Sequence, residues 1–164
     1  AGGSDERFCV AETDPLTIIT MPTTAVDLTS LTHSLTLSCQ SNTGHDQVLS
    51  LSLPVNVLSL TIDTEGSTVD DTAIELLDPQ CATSIQCDDD GGTGFLSSIT
   101  RTNVSLGNYA VAVAGYGSFG DNDGPVTLNV HGTLAAGTDC TSALFTAGVL
   151  ACDTGLTCNG TTCQ

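Results

Sequence analysis

The chain has 164 residues, of which 40% are hydrophobic, a length that suits one sandwich-sized domain with flanking segments rather than two full domains. Its 19 acidic residues stand against two basic ones, Arg7 and Arg101, so the formal net charge is −17 and lysine is absent. Such a charge repels phosphate backbones and anionic lipids, which excludes nucleic acid as a partner and leaves cations as the natural counterpart. No apolar run approaches the roughly 18 residues of a membrane span, so no membrane insertion is expected.

The first segments carry strand-like sequence outside any obvious core. Residues 1–15 are charged and contain one cysteine, which is typical of an exposed lead-in. Residues 16–31 are rich in Thr and alternate with apolar side chains, and they form a strand-like N-terminal extension together with the lead-in (1–31). Residues 16–31 are the candidate segment for assembly with another subunit, and their apolar residues are Leu16, Ile18, Ile19, Val26, Leu28 and Leu31.

The next segments alternate apolar and polar residues with a period of two, which is the signature of strands with one buried face. In chain order, the predicted strands are centred on Leu35 to Cys39, Leu49 to Leu53, Leu58 to Ile62, Ala73 to Leu77, Leu96 to Ile99, Asn108 to Ala114 and Val126 to Val130. The segment from Cys81 to Gly94 contains Asp88-Asp-Asp-Gly-Gly and is predicted to be a loop. In the strand from Asn108, Tyr109 and two valines share one face while three alanines share the other, which indicates either close sheet packing or a neighbour on that face.

Beyond residue 134 the composition changes, because four glycines alternate with four cysteines. We predict one short helix there, from Ser142 to Ala147. Residues 135–164 are therefore expected to be a small appendix that depends on its disulfides. The predicted fold is an all-β, jelly-roll-like antiparallel β-sandwich over residues 32–134, with the extension and the appendix at its two ends.

Eight cysteines are spread over the whole chain. They are Cys9, Cys39, Cys81, Cys87, Cys140, Cys152, Cys158 and Cys163. An even number without a C-x₂-C pair favours disulfides over a thiolate metal site and points to an oxidising compartment. The connectivity does not follow from the sequence, but the tail cysteines are expected to pair with one another, and a local Cys81–Cys87 bridge is sterically easy. With Ala1 interpreted as the residue left by signal-peptide cleavage, the predicted location is extracellular, at a bacterial cell surface.

A series of motifs occurs in a characteristic order. They are Ser-Leu-Thr-Leu-Ser-Cys39, Leu51-Ser-Leu53, Leu58-Ser-Leu-Thr-Ile62, Asp70-Asp-Thr-Ala-Ile-Glu-Leu77, Cys87-Asp-Asp-Asp-Gly-Gly, Ser97-Ser-Ile99 and Leu106-Gly-Asn-Tyr-Ala-Val-Ala-Val-Ala-Gly-Tyr116. This order resembles the bacterial pre-peptidase C-terminal (PPC) domain, as found in secreted cysteine-rich proteins of myxobacteria-like organisms. The resemblance implies a non-catalytic jelly-roll-like sandwich, often associated with calcium and usually appended to secreted peptidases or surface proteins.

Three acidic loops are the candidate metal site, with calcium as the expected cofactor. Calcium takes six to eight oxygen ligands on a backbone that glycine lets turn sharply, and these loops combine aspartate with glycine. The candidate ligands are Asp70, Asp71, Asp88, Asp89, Asp90, Asp121 and Asp123. The alternative is that they are solvated turn residues, because Asp and Gly are ordinary in turns.

Catalytic motifs are not apparent in the sequence. The three histidines, His33, His45 and His131, are expected to make structural hydrogen bonds or to face solvent, and Gly117-Ser-Phe-Gly120 departs from the G-x-S-x-G elbow because Tyr116 replaces its first glycine. Asn103 and Asn159 begin N-glycosylation sequons. We therefore predict that the protein is not an enzyme and has no catalytic residues.

Two functions remain open. The first is a structural protein that self-associates into an extracellular filament or matrix, with the extension of one subunit adding a strand to the next and calcium stiffening the assembly. In the alternative for the extension, it adds an edge strand to its own chain. The second function is a binding module for a glycan or a protein at the cell surface, against which the scarcity of aromatic residues argues mildly.

Overall fold

The computed structural model describes Cys9 and residues 14–40, 43–117 and 122–164. Ten strands and one short α-helix follow in chain order. They are β1 (Thr17–Ile18), β2 (Thr23–Asp27), β3 (Thr43–Leu53), β4 (Val57–Asp63), β5 (Thr72–Leu77), β6 (Ser84–Asp88), β7 (Ser98–Val104), β8 (Gly107–Tyr116), β9 (Pro125–Leu134), α1 (Ala143–Thr146) and β10 (Leu150–Cys152). A 3₁₀ turn, Leu28–Ser30, follows β2.

The strands form two sheets that face each other as a sandwich. The first sheet has the order β1-β3-β8-β5-β6, and the second has the order β10-β9-β4-β7, with β2 also paired to β9. The long strands are antiparallel, whereas the short β1 and β10 pair in parallel with β3 and β9. The predicted all-β sandwich is confirmed, and its antiparallel pattern is interrupted by these two short edge strands.

The core between the sheets consists of the apolar positions of the alternating strands. Leu49, Leu51 and Leu53 of β3 are buried there, as are Leu60 and Ile62 of β4. Val111 and Val113 of β8 lie in the same cluster. Period-two alternation predicted these strands correctly, because side chains i and i+2 project from the same face of a strand. Burial of branched aliphatic side chains is the main stabilising term of such a core.

A second, smaller cluster covers the outer face of the first sheet. Ala110, Ala112 and Ala114 of β8 lie in this cluster, so the neighbour that the alanine face indicated is present. It is residues 31–40, which run across the face without strand pairing and bury Leu37 against it. We call this segment the strap. The strand predicted from Leu35 to Cys39 is therefore wrong, because its alternation reflects one-sided burial under an irregular segment.

The N-terminal extension pairs within its own chain. β1 lies beside β3, and β2 pairs with β9 from Thr23↔Asn129 to Asp27↔Pro125. The side chains of Ile19, Val26 and Leu28 are buried in the core of the sandwich, whereas Leu16 and Ile18 are exposed. Of the two alternatives for the extension, the structure has the one in which it adds edge strands to its own chain.

All eight cysteines are paired. The bridges are Cys9–Cys81, Cys39–Cys87, Cys140–Cys158 and Cys152–Cys163. The tail cysteines pair with one another as expected. The sterically easy Cys81–Cys87 bridge does not form. Cys81 and Cys87, in the β5–β6 region, instead hold the two ends of the segment between residues 9 and 39. This segment, which includes β1, β2 and most of the strap, is thus tied to one hairpin at both ends.

The appendix packs on one end of the second sheet. β10 pairs in parallel with β9. The helix α1 begins after Ser142, whose hydroxyl accepts a hydrogen bond from the Phe145 amide, as in a helix N-cap. Leu144 and Leu150 join the main core. The short helix was predicted correctly. In the part of the chain that the structure describes, none of the helices has the length and hydropathy needed to cross a membrane.

Candidate acidic site at one end of the sandwich

Asp71 is the residue just before β5, and it lies between the end of β8 and the loop that joins β6 to β7. The Thr72 amide donates to the carbonyl of Phe95 at 3.2 Å, and the Tyr116 amide at the end of β8 donates to the carbonyl of Asp71 at 3.3 Å. These bonds place one aromatic residue on each side of Asp71. Both aromatic residues are exposed, Phe95 at 60% and Tyr116 at 39%.

The loop between β6 and β7 is held by a buried hydroxyl network. The Thr72 hydroxyl lies 2.7 Å from the Thr64 hydroxyl and 3.0 Å from the Ser97 hydroxyl. The Ser97 hydroxyl also lies within hydrogen-bonding distance of the carbonyls of Thr72, at 2.8 Å, and Asp89, at 3.1 Å. All three hydroxyl residues are fully buried. The backbone carbonyl of Asp89 is therefore anchored to a buried core group.

Two carboxylates also hold this loop, through hydrogen bonds to its backbone amides. Asp88 Oδ2 accepts hydrogen bonds from the amides of Gly91 and Ser98, each at 2.8 Å. Glu65 Oε1 accepts one from the Thr93 amide at 2.6 Å. A Cβ at Gly91 would lie 2.6 Å from Asp88 Oδ2, so glycine is needed where the loop closes on this carboxylate. Asp88 and Glu65 are thus structural anchors.

The result is an open concavity of about 250 Å³ lined by Asp71, Asp89, Asp90, Phe95 and Tyr116. Burial raises the pKa of Asp71 above its ordinary value, and the nearby charges of Asp90 and Asp89 raise that pKa further. A positive charge placed here would relieve this repulsion. Carboxylate oxygens suit calcium, and the faces of exposed aromatic rings suit organic cations.

The structure brings together only some of the predicted calcium ligands. Asp71, Asp89 and Asp90 share the concavity, whereas Asp70 is exposed outside its lining and Asp88 is used to hold the loop. Asp123 faces another corner, where its Oδ1 accepts from the His45 amide at 2.9 Å and its Oδ2 lies 3.1 Å from His45 Nδ1. Asp121 lies outside the described residues.

The carboxylates of the concavity are not clustered as tightly as the ligands of a filled metal site. Among the described residues, the three potential ligand atoms found within 4.8 Å of one another are sulfurs of Cys140, Cys152 and Cys163. These cysteines are in disulfides and are not available to a metal. Binding calcium would therefore require Asp71, Asp89 and Asp90 to approach the ion, with other oxygens completing its coordination.

The histidines make local contacts. His33 Nδ1 lies 2.9 Å from the Gly44 carbonyl, and His45 Nδ1 lies 3.0 Å from the Leu28 carbonyl. His131 is exposed on β9. These positions agree with the structural or solvent-facing roles expected from the sequence.

The two sequons lie at the surface. Asn103 and Asn159 are both exposed. Asn159 Oδ1 accepts hydrogen bonds from the Thr161 amide and hydroxyl, each at 2.9 Å, so this sequon forms a closed turn. Glycosylation at either position stays a prediction.

Sequence reasoning missed the two aromatic residues of the concavity. Phe95 follows Gly94 in a loop, and Tyr116 ends a strand, so neither takes part in a periodic pattern. The signal that could have found them is their proximity in sequence to the acidic loop and to the end of β8.

Comparison with known proteins gives structural matches only. No protein-family model matches the chain, and no curated protein matches it in sequence. The structure is similar to the pre-peptidase C-terminal domain of a Bacillus anthracis collagenase, with 14% identity, a TM-score of 0.44, and coverage of 73% of this chain and 97% of that one. It is also similar to PliG of Aeromonas hydrophila, a periplasmic inhibitor of g-type lysozyme, with 16% identity, a TM-score of 0.40, and coverage of 72% and 97%. The first match agrees with the resemblance found in the sequence, and neither is used below to argue function.

Proposed function

We propose that the protein is a non-catalytic secreted binding module whose acidic concavity takes up a cation, with calcium as the metal ion that its oxygen ligands suit. The observation that carries the proposal is the convergence of Asp71, Asp89 and Asp90 between two exposed aromatic rings. Four disulfides support a location outside the cytoplasm, because such bridges form and persist in oxidising compartments. A bound ion would leave the aromatic rings free to contact a protein or glycan.

This proposal is preferred to a filament built by exchange of the N-terminal extension. The extension would have to leave its own sandwich, and with it the burial of Ile19, Val26 and Leu28. The bridges Cys9–Cys81 and Cys39–Cys87 also restrain both ends of the exchanged segment. Both features oppose transfer of the segment to a neighbouring subunit.

Calorimetric titration with calcium tests the proposal. The wild-type protein should bind calcium, and the double variant Asp89→Asn/Asp90→Asn should bind it at least tenfold more weakly because two carboxylate ligands are lost. Asp153→Asn is the matched control, since it removes one carboxylate from the appendix, which packs elsewhere on the sandwich. Wild-type protein that binds no calcium, or a double variant that binds as tightly as wild type, would exclude calcium as the ligand of this site.

Self-association is a second candidate function, and it is supported by a different observation. Leu16 and Met21 are exposed at 42% and 54%, and Ile18 on the edge strand β1 is exposed at 63%. An apolar edge strand can pair with the edge of another chain. A homopolymer would then form by addition to β1 rather than by exchange of the extension.

Sedimentation of the wild type and Ile18→Lys tests this second candidate. The wild type should associate as its concentration rises, and Ile18→Lys should stay monomeric because charge on an edge strand opposes pairing. Thr100→Lys, which adds the same charge to the exposed edge strand β7, should behave like the wild type. A wild type that stays monomeric at all concentrations would refute self-association through β1.

A further inference from the structure

Two acidic residues of the first sheet are buried beneath the strap, Asp46 on β3 and Glu75 on β5. Asp46 accepts hydrogen bonds from the amides of Ser34 and Leu35, whereas Glu75 is the one that lines a cavity. Glu75 lies on β5 opposite Ala112 of β8 and Cys87 of β6, and it is 3% exposed. Its neighbours along the same face of β5, Ala73 and Leu77, belong to the apolar cluster beneath the strap. Glu75 therefore places a carboxylate inside the second hydrophobic cluster.

The hydrogen bonds of Glu75 leave part of this carboxylate unmatched. Ser38 of the strap donates to it twice, from its amide to Oε2 at 3.0 Å and from its hydroxyl to Oε1 at 2.5 Å. An ionised carboxylate offers about four acceptor sites, so roughly half of its capacity remains. The one arginine among the described residues, Arg101, donates instead to the Ile85 carbonyl at 3.3 Å. A buried carboxylate is costly unless a positive charge accompanies it.

Glu75 also lines a cavity of about 180 Å³ beneath the strap. Leu35 and Leu77 give the cavity apolar walls, and Ser38 and Ser84 add hydroxyl groups near the carboxylate. Among the lining residues, Thr36, Ala82 and Ser84 are exposed, so the cavity is accessible from the surface. It combines a buried negative group with an apolar lining that opens to solvent.

We propose that this cavity binds a primary alkylammonium group, presented as the lysine side chain of a partner protein. The methylene stem of lysine would pack on the apolar walls, and its ammonium group would donate to Glu75 and to the Ser84 hydroxyl. A metal ion fits less well, because calcium takes six to eight oxygens and the cavity has apolar walls. The chain contains no lysine, so the ligand comes from a molecule other than a second copy.

The site is separate from the acidic concavity, since the two share no lining residue. The lysine proposal therefore does not rest on calcium binding. A variant that loses binding at one site can still be tested for binding at the other.

Carbon-detected NMR with a model ligand tests the proposal. The probe is Nα-acetyl-lysine-N-methylamide, and the matched control ligand is the norleucine analogue, which has the stem without the ammonium group. The lysine probe should shift the Glu75 carboxyl resonance and the Leu77 methyl resonances to saturation, whereas the norleucine analogue should not. Because an acidic protein attracts any cation weakly, the titration is done at physiological ionic strength, where exposed charges are screened.

Two variants locate the binding. Glu75→Gln keeps the shape of the side chain and should weaken binding at least tenfold. Ala82→Phe narrows the cavity mouth without changing Glu75, and it should weaken binding to a similar extent. This variant tests the site even if Glu75→Gln fails to fold. Shifts confined to Asp89 and Asp90, or equal binding by Glu75→Gln, would overturn the proposal. Binding that appears only in the variant Arg7→Gln would also overturn the proposal, because Arg7 would then be the cation that pairs with Glu75 in the wild type.

Discussion

At the scale of single residues, Asp71 determines how the acidic concavity responds to pH. Its raised pKa means that the folded state binds a proton more readily than the unfolded chain does. Ionisation of Asp71 therefore destabilises the fold above its ordinary pKa of 3.8, and this penalty is complete above the raised value. As the pH falls below that value, the penalty is lost.

We predict that Asp71→Asn raises the melting temperature at pH 7 in the absence of calcium, because it removes a carboxylate that is held beside Asp89 and Asp90. At pH 3, where Asp71 is protonated in both states, the variant and the wild type should unfold at similar temperatures. Thermal unfolding at the two pH values measures the effect. A variant that is less stable than wild type at pH 7 would contradict the electrostatic account.

Asp139 provides the control with the opposite sign. Hydrogen bonds from the Thr141 side chain and amide lower the pKa of Asp139, so its charged form stabilises the fold above the ordinary pKa and this contribution is lost as the pH falls. Asp139→Asn should therefore lower the melting temperature at pH 7, whereas Asp71→Asn raises it. Equal effects of the two variants would point to net charge alone as the cause.

Ser97 determines the position of the acidic loop through its buried hydroxyl. We predict that Ser97→Ala lowers the free energy of unfolding by about 1–3 kcal/mol, because it leaves buried polar groups without their hydrogen-bond partner. Calcium binding should weaken with it, since the Asp89 carbonyl loses its link to Ser97. Denaturant unfolding and calcium titration measure the two effects. Ser98→Ala is the control, and equal losses in the two variants would contradict a specific role for Ser97.

At the scale of elements, the strap depends on its covalent link to β6. The Cys39–Cys87 bridge spans a sequence separation of 48 residues. Loop-closure entropy predicts that the double variant Cys39→Ser/Cys87→Ser lowers the free energy of unfolding by about 4 kcal/mol. Denaturant unfolding measures this loss. The strap should also loosen, so amide exchange around Ala110, Ala112 and Ala114 should rise in the double variant, and unchanged exchange would contradict the covering role.

The sequence predicts the elements well where alternating burial accompanies strand pairing. It predicts them poorly where a segment is buried on one side without joining a sheet. Leu49, Leu51 and Leu53 alternate because β3 has a core face and a more exposed face, and period-two analysis finds them. Leu35, Leu37 and Cys39 alternate in the same way, yet they belong to the strap, which covers a sheet without joining one. Local alternation reports one-sided burial, and strand pairing is an additional, non-local property.

The short strand β6 shows the converse problem. Its residues, Ser84 to Asp88, include polar side chains beside an Asp-Gly-Gly turn, which favoured a loop. It becomes a strand because β5 pairs with it from Ile74↔Asp88 to Leu77↔Ser84. Likewise, sequence spacing makes a Cys81–Cys87 bridge sterically easy, whereas the fold brings distant partners to both residues. Long-range pairing decides both outcomes, and a single sequence does not contain it explicitly.

At the scale of the whole molecule, the acidic residues behind the net charge of −17 have different structural roles. Asp88 and Glu65 hold a loop, Asp27 and Asp139 form local turns, and Glu75 lies beneath the strap. The sequence identified the acidic loops but not which carboxylates serve the fold and which line the concavity of the proposed cation site. That division depends on the hydrogen bonds made after folding.

Terbium luminescence tests the central claim, cation binding in the acidic concavity, most directly. Terbium replaces calcium at oxygen sites and emits when a nearby tyrosine is excited, and the chain has no tryptophan and two tyrosines, Tyr109 and Tyr116. Tyr116 lines the concavity, whereas Tyr109 packs against the main core. We predict sensitised emission that calcium displaces, that Tyr116→Phe abolishes and that Tyr109→Phe leaves intact. Emission that survives Tyr116→Phe, or no emission from the wild type, would contradict cation binding at this site.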